Sequence, residues 1–306
     1  MSLSSMETER IDATATRDAA PDAGPWRRAL RRLRHDRVAM IALGVLAILV
    51  LAALLAPLVA PYAPDAQPDI VRLARLGPSW SHPFGTDIYS RDVLSRVIYG
   101  ARVSLGVATL AILVAMTVGT AWGAIAGYAG GVVDSVMMRI IDALLAIPRI
   151  LILLLVLGLW GSMSLPMLVL VLGLTGWFAT SRLVRERVRA LSRRDFTLAA
   201  RAIGARDARV LWRHVLPNAL SPVIVAATLG IGNVIVLEAA LSYLGIGVRP
   251  PHASWGNIIQ DGSDQIASAW WIALFPGLAM LVTVIAFNLL GDALRDALDP
   301  RDDRRP

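Results

Sequence analysis

The chain has 306 residues, 56% of them hydrophobic and only 17% charged, with a mean hydropathy of +0.60 and a net charge of +7. A soluble domain is nearer about half apolar and a quarter charged, so this balance points to lipid as the solvent. Cysteine and lysine are both absent, which excludes disulfides, thiolate metal sites and the lysine-dependent phosphate loop of P-loop ATPases.

In chain order, residues 1–37 are polar and end in a basic run from Trp26 to Arg37. A cleavable signal peptide needs a short positive head directly before its apolar run, so the expectation is a disordered cytoplasmic tail ending in a basic membrane anchor. A bilayer core about 30 Å thick takes roughly 20 apolar residues in a helix. Runs suited to crossing it lie at 38–60, 103–127, 143–160, 161–181, 218–237 and 265–291, and the third carries one charge, Arg149. Six spans are expected. Gly106, Gly119, Gly123 and Gly127 give span two a stripe of small residues suited to close helix packing. Asp134, Arg139 and Asp142 open span three, with Arg139 and Asp142 at the i, i+3 spacing of a surface ion pair. The four histidines, His35, His82, His214 and His252, fall outside the apolar runs and far apart in sequence, so no metal cluster is readable.

Arginine-rich connections stay on the cytoplasmic side. The tail before span one holds eight arginines, 182–213 holds ten and the segment from Asp292 four, against five, none and one in 61–102, 161–166 and 240–264. Both termini and the segment between spans four and five are therefore expected in the cytosol. Of the outer segments, 88–99 is expected to form an interfacial helix capped by Thr86 or Asp87, and 247–262 a folded-back loop rich in turn residues.

The cytoplasmic stretch "RRDFTLAARAIGARDARVLWRHVLP", 193–217, is the most informative. Asp195 is placed to cap a short helix with Phe196, Ala199, Ala200 and Ile203 on one face, and Gly204 to end it in the left-handed conformation. Asp207 is placed to cap a second helix, with Val210, Leu211 and His214 or Val215 on one face and Pro217 where the chain re-enters the membrane. Three readings fit this helix, turn, helix: a basic amphipathic surface on anionic lipid, a solvated loop, or an element inserted into a partner's groove. Periodicity does not separate them.

The same stretch resembles the E-A-A cytoplasmic loop of permease subunits of bacterial ABC importers: Leu198-Ala199-Ala200, three residues, Gly204, then Leu216-Pro217. "HPFGTDIYSRDVLSRVIYGARVSL" from His82, "DALLAIP" from Asp142, "LPNALSPVIV" from Leu216 and "EAALSYLGIGVRPPHASWGNIIQDG" from Glu238 narrow the likeness. Together they are similar to the second, C-type permease of the dipeptide, oligopeptide and nickel importers, from about Arg27 onward. Leu198 departs from the pattern, standing where the family has glutamate, and the literal Glu238-Ala-Ala240 lies at the outer end of span five without the glycine.

The resemblance implies an all-α integral membrane protein of the type I ABC importer permease, MetI-like, fold, with six transmembrane helices and both termini cytoplasmic. It implies a cytoplasmic tail at 1–37, a first helix and outer segment at 38–100, a permease core at 101–292 with its coupling loop at 182–216, and a cytoplasmic tail at 293–306. Asp195, Ala199, Ala200, Arg201, Gly204, Asp207, Leu216 and Pro217 are then the residues that couple to the ATPase. The implied partners are a second homologous permease in a heterodimer, two ABC ATPase subunits that bind ATP and magnesium, an extracytoplasmic substrate-binding protein and membrane lipid. No cofactor, metal or nucleic acid is expected on this chain, which is expected to be a transport subunit of the bacterial plasma membrane and not an enzyme.

Two charges inside the spans are candidates for the translocation pathway. An arginine near the bilayer centre costs about 2.5 to 3.5 kcal/mol on insertion scales, so Arg149, just after Pro148, is expected to face water, a substrate carboxylate, or an acid or carbonyl of the partner chain. Glu238 is expected to serve as a structural hydrogen-bond acceptor. A secondary transporter driven by an ion gradient is the alternative, but it calls for a midplane acid with a partner and for inverted repeats, and neither is found in the sequence.

Overall fold

The computed structural model describes residues 25–160 and 164–298. The expectations for 1–24 and 299–306, and the sequence boundary at Gly161, lie outside the described residues. Among the described residues there is no strand beyond one isolated bridge between Thr86 and Asp92.

The helices are α1 (Pro25–His35), α2 (Arg37–Leu54), α3 (Ala56–Val59), α4 (Val93–Ala129), α5 (Gly131–Leu145), α6 (Arg149–Trp160), α7 (Leu165–Leu174), α8 (Trp177–Leu191), α9 (Asp195–Ala202), α10 (Asp207–Val210), α11 (Leu216–Tyr243), α12 (Trp255–Ser263) and α13 (Trp271–Leu298). A π-helical turn, Leu211–Val215, joins α10 to α11. It precedes Pro217, whose missing N–H cannot continue an α-helical ladder.

Four helical stretches are long and apolar enough to cross a membrane: α2, α4, α10 through α11, and α13. Two bent pairs bring the number to six if each is one span: α5 with α6 at 76°, and α7 with α8 at 43°. The first bend falls at Ile147-Pro148, where proline disfavours the helical conformation of the residue before it. At the second, the Thr175 hydroxyl donates to the Val171 and Leu172 carbonyls at 2.8 and 3.2 Å, bonding back to the preceding turn in the way that bends helices.

The segments before α4 and after α11 differ from the sequence expectation. Residues 88–99 do not form a separate interfacial helix: Val93 opens a 37-residue helix that runs unbroken into the second span. Asp92 caps it, accepting from the Ser95 N–H at 2.8 Å, in place of Thr86 or Asp87. No breaker interrupts it, because Gly100 is a tolerated packing site where a Cβ would meet Ser254 and Trp255 at 3.3 Å. The loop after α11 closes with α12, opened by a capping box between Ser254 and Asn257.

Three buried charges, Asp87, Arg91 and Arg96, and the half-buried Asp261 fasten α12 to the start of α4. Asp87 accepts from Arg91 and Arg96, both at 2.6 Å, and Asp261 accepts from the same two arginines at 2.8 and 2.7 Å. Beside them His82 lies 2.9 Å from Asp92.

On α4, Gly119, Gly123 and Gly127 are the contact stripe against α8: a Cβ would lie 2.8, 2.3 and 2.5 Å from the carbonyls of Trp177, Ser181 and Arg185. Gly106 does not belong to this stripe. It has open space beside it and lines a groove of about 940 Å3 between α4, α7 and the outer loops. The expected Arg139–Asp142 pair is not formed either, because Asp142 faces α8 and accepts from Arg182. Asp134 likewise takes both bonds of an Arg185 fork, at 2.5 and 2.6 Å. α2 and α13 share a buried cluster of Ala42, Leu46 and Ala286 backed by Phe287 and Leu290, which packs the two helices together.

Candidate functional site

The stretch 193–217 folds into a knuckle at one end of the bundle. α8 ends at Leu191, and the Thr197 hydroxyl donates to the Leu191 carbonyl at 2.8 Å, which fastens α9 to the helix before it. Ala200 and Val210 are buried in a cluster with Val184, Val188, Val215 and Ala219. The inner face of the knuckle is therefore made of small and β-branched side chains that belong to α8, α9, α10 and α11 together.

Gly204 ends α9 as its sequence suggests. Its φ is +84°, the Gly204 N–H donates to the Arg201 carbonyl at 2.9 Å and the Ala205 N–H to the Ala200 carbonyl at 3.1 Å. These two bonds form the Schellman pattern, which satisfies carbonyls the helix end would otherwise leave open. Ala205 and Ala200 pack in the same cluster beneath it.

Asp195 and Asp207 stand one position inside their helices, with Arg194 and Arg206 at the N-caps and no side-chain cap bond at either. Asp195 still places a negative charge in the first turn, where it favours the helix dipole. Asp207 does something the spacing did not suggest. It accepts from the Tyr128 hydroxyl at 2.6 Å and lies 3.6 Å from Arg201 Nε, while the Arg201 guanidinium sits 5.2 Å from the Tyr128 ring centre. Tyr128 ends the second span, so this contact joins α4, α9 and α10. Sequence reasoning missed it, because nothing in the spacing relates residue 128 to residue 207.

The expected apolar face of α9 is also corrected. Only Ala200, with Thr197, turns inward, whereas Phe196, Ala199 and Ile203 turn out. Leu198 and Trp212 are exposed with them, and Ile203 and Trp212 are 86% and 63% exposed. Leu216 is buried at the start of α11 and Pro217 is exposed beside it.

The two pathway candidates lie in the interior. Arg149 donates to the Leu172 carbonyl at 2.7 Å and to the Thr175 hydroxyl at 3.3 Å, both on the bent α7–α8 pair. Its partner among the described residues is thus a carbonyl of its own chain. Glu238 is fully buried and accepts from Ser104 at 2.9 Å and Ser242 at 2.6 Å. The same two hydroxyls accept the N–H groups of Trp255 and Val248, at 3.3 and 2.9 Å. Glu238 is the centre of a hydrogen-bonded knot joining α4, α11 and the loop before α12.

Comparison with known proteins decides the family. Residues 119–303 match the family described as the binding-protein-dependent transport system inner membrane component, and residues 24–78 match the N-terminal TM domain of oligopeptide transport permease C. The chain belongs to this permease family. The permease is 40% identical over 282 residues to the dipeptide transport system permease protein DppC of Alkalihalophilus pseudofirmus, covering 90% of each chain. It is 37% identical over 276 residues to the oligopeptide transport system permease protein OppC of Bacillus subtilis, covering 90% of each. Against the glutathione transport system permease protein GsiD of Pectobacterium atrosepticum the identity is 39% over 278 residues, 90% of this chain and 91% of the relative. The permease is accordingly a C-type subunit of an ABC importer and a multi-pass protein of the bacterial inner membrane.

Proposed function

We propose that the permease forms the membrane path for a peptide or a related small solute, a nickel complex included, and that ATP hydrolysed on separate subunits drives passage through the knuckle at 193–217. The observation that carries this reading is the outward-turned apolar set Phe196, Leu198, Ile203 and Trp212 on an element whose inner side is fixed to the bundle. An ATPase groove that receives these side chains moves the helices behind them, because the knuckle shares its core with α8 and α11. Ala199 is small enough to let another surface approach. Leu198 supplies apolar contact where the family has a glutamate, so docking here relies on packing in place of that acid. The names of the relatives, for dipeptide, oligopeptide and glutathione transport, support a peptide-like solute.

In this reading six spans place both termini and the knuckle in the cytosol in a MetI-like arrangement, and the core pairs with a second, homologous permease. Two ATPase subunits bind ATP and magnesium, an extracytoplasmic protein delivers the solute, and lipid surrounds the rest. Arg149 and Glu238 flank the route, Arg149 facing an interior cavity and Glu238 setting the outer end of α11. Coupling is a two-state change of the bundle that closure of the ATPases biases through the knuckle.

Gly204→Val tests this. A β-branched residue at a φ of +84° is strained by about 1–2 kcal/mol or more, so the turn between α9 and α10 must reshape. In the assembled, reconstituted transporter the expected result is loss of solute uptake together with loss of its coupling to ATP hydrolysis. Undiminished uptake still tied to ATP overturns the assignment.

A further inference from the structure

A cavity of about 310 Å3 lies between α4, the bent α7–α8 pair and α11, and Arg149 faces it from the first residue of α6. The break at Pro148 turns this side chain toward the bundle. Its two bonds to Leu172 and Thr175 fix the guanidinium at the bend, yet neither acceptor carries charge, and among the described residues no carboxylate forms an ion pair with it. Nη1, its second terminal nitrogen, makes no hydrogen bond among the described residues. Across the cavity stands Asn233, an exposed amide on α11, and the small residues Ala115, Gly176 and Gly230 line the cavity with it. A planar cation, already oriented and lacking an anion in a low-dielectric space, matches a carboxylate fork.

We infer that this cavity is a subsite for the free carboxylate of the solute in transit, with Arg149 supplying the charge and Asn233 the opposite wall. The inference rests on the transport reading for the identity of the solute, but the charge preference of the cavity does not depend on coupling to ATP.

The absence of cysteine makes a direct test available. Asn233→Cys places one thiol in this chain at the cavity wall. In the assembled transporter in nanodiscs, its labelling by an anionic sulfonate and by a cationic ammonium methanethiosulfonate is followed by mass spectrometry of this subunit, each rate divided by that for a free thiol. The expected preference is for the anion by on the order of tenfold. It is expected to persist with Arg149→Lys and to fall to near unity with Arg149→Gln, which keeps an amide donor for the Leu172 carbonyl. Dialanine is expected to slow the labelling, and its C-terminal amide to leave it unchanged. Equal normalised rates with Arg149 in place, a preference that survives Arg149→Gln, no labelling by either reagent, or protection by both dipeptides or by neither overturns the proposal. Because labelling needs no ATP, the same result in a Gly204→Val complex separates failure of coupling from failure of the subsite.

Discussion

Two polar contacts of similar length carry different consequences because they lie in different surroundings. The Tyr128 hydroxyl bonds to an Asp207 whose side chain is 75% exposed, so water can replace the phenol when Tyr128→Phe removes it. The net loss is of order 0.5–1.5 kcal/mol, as for an ordinary intramolecular hydrogen bond. The loss is expected locally, as severalfold faster amide hydrogen exchange across α9 and α10 with assembly unchanged; unaltered exchange means the contact contributes nothing to order in the knuckle. Glu238 is the opposite case, fully buried between two hydroxyls that each serve a backbone N–H as well. Glu238→Ala leaves those hydroxyls without their acceptor and costs about 1–3 kcal/mol for each group left unpaired. Glu238→Gln retains one of the two acceptor oxygens and so leaves one hydroxyl to re-pair. Yield of the folded subunit from membranes is therefore expected to drop most for the alanine variant and less for the glutamine variant, and wild-type yields for both would show that the knot is dispensable.

The long α4 is positioned by what its glycines permit, and the two ends of that helix make opposite demands. At Gly123 a Cβ would lie 2.3 Å from the Ser181 carbonyl, a backbone atom that cannot step aside, whereas beside Gly106 nothing lies within 4 Å. Gly123→Ala is thus expected to pry α4 from α8, costing about 1–3 kcal/mol as overpacking does, while Gly106→Ala is expected to be neutral. Thermal unfolding of the purified assembly separates the two, and equal midpoints would mean that the close approach is not what holds these helices. The spacing of Gly119, Gly123 and Gly127 was readable because two steps of four residues keep one helical face, and Gly106, thirteen residues away from Gly119, does not share it. Hydropathy likewise located the four long apolar helices, being a sum over neighbours in sequence, and Gly204 was readable because a left-handed φ favours glycine. The outward face of α9 was not readable: its inner contacts come from valines of α8, α10 and the π turn, and periodicity within eight residues does not say which side meets them. Nor was Tyr128, or the charge cluster of Asp87, Arg91, Arg96 and Asp261, because each joins residues far apart in the chain.

That charge cluster alters the reckoning of topology for the molecule as a whole. Of the five arginines in the outer segment 61–102, Arg91 and Arg96 are buried against Asp87 and Asp261, so only three remain to present charge to the membrane surface. The arginine asymmetry on which the proposed cytoplasmic placement of 182–213 rests is larger than the raw count indicates. What separates six spans from four is whether each bent pair crosses, and a single position decides it. With six spans Ser164, an exposed residue before α7, lies outside; if the bent pairs only dip and return, it lies on the cytoplasmic side with Ile203. The cysteine-free chain allows Trp80→Cys, Ser164→Cys and Ile203→Cys to be made one at a time, and Trp80 and Ile203 are 104% and 86% exposed. A membrane-impermeant thiol reagent applied to intact spheroplasts is expected to label the cysteines at 80 and 164, and the one at 203 only after lysis. Labelling at 164 that also waits for lysis would reduce the spans to four, and labelling at 203 in intact spheroplasts would place the knuckle on the wrong side of the membrane for any contact with an ATPase.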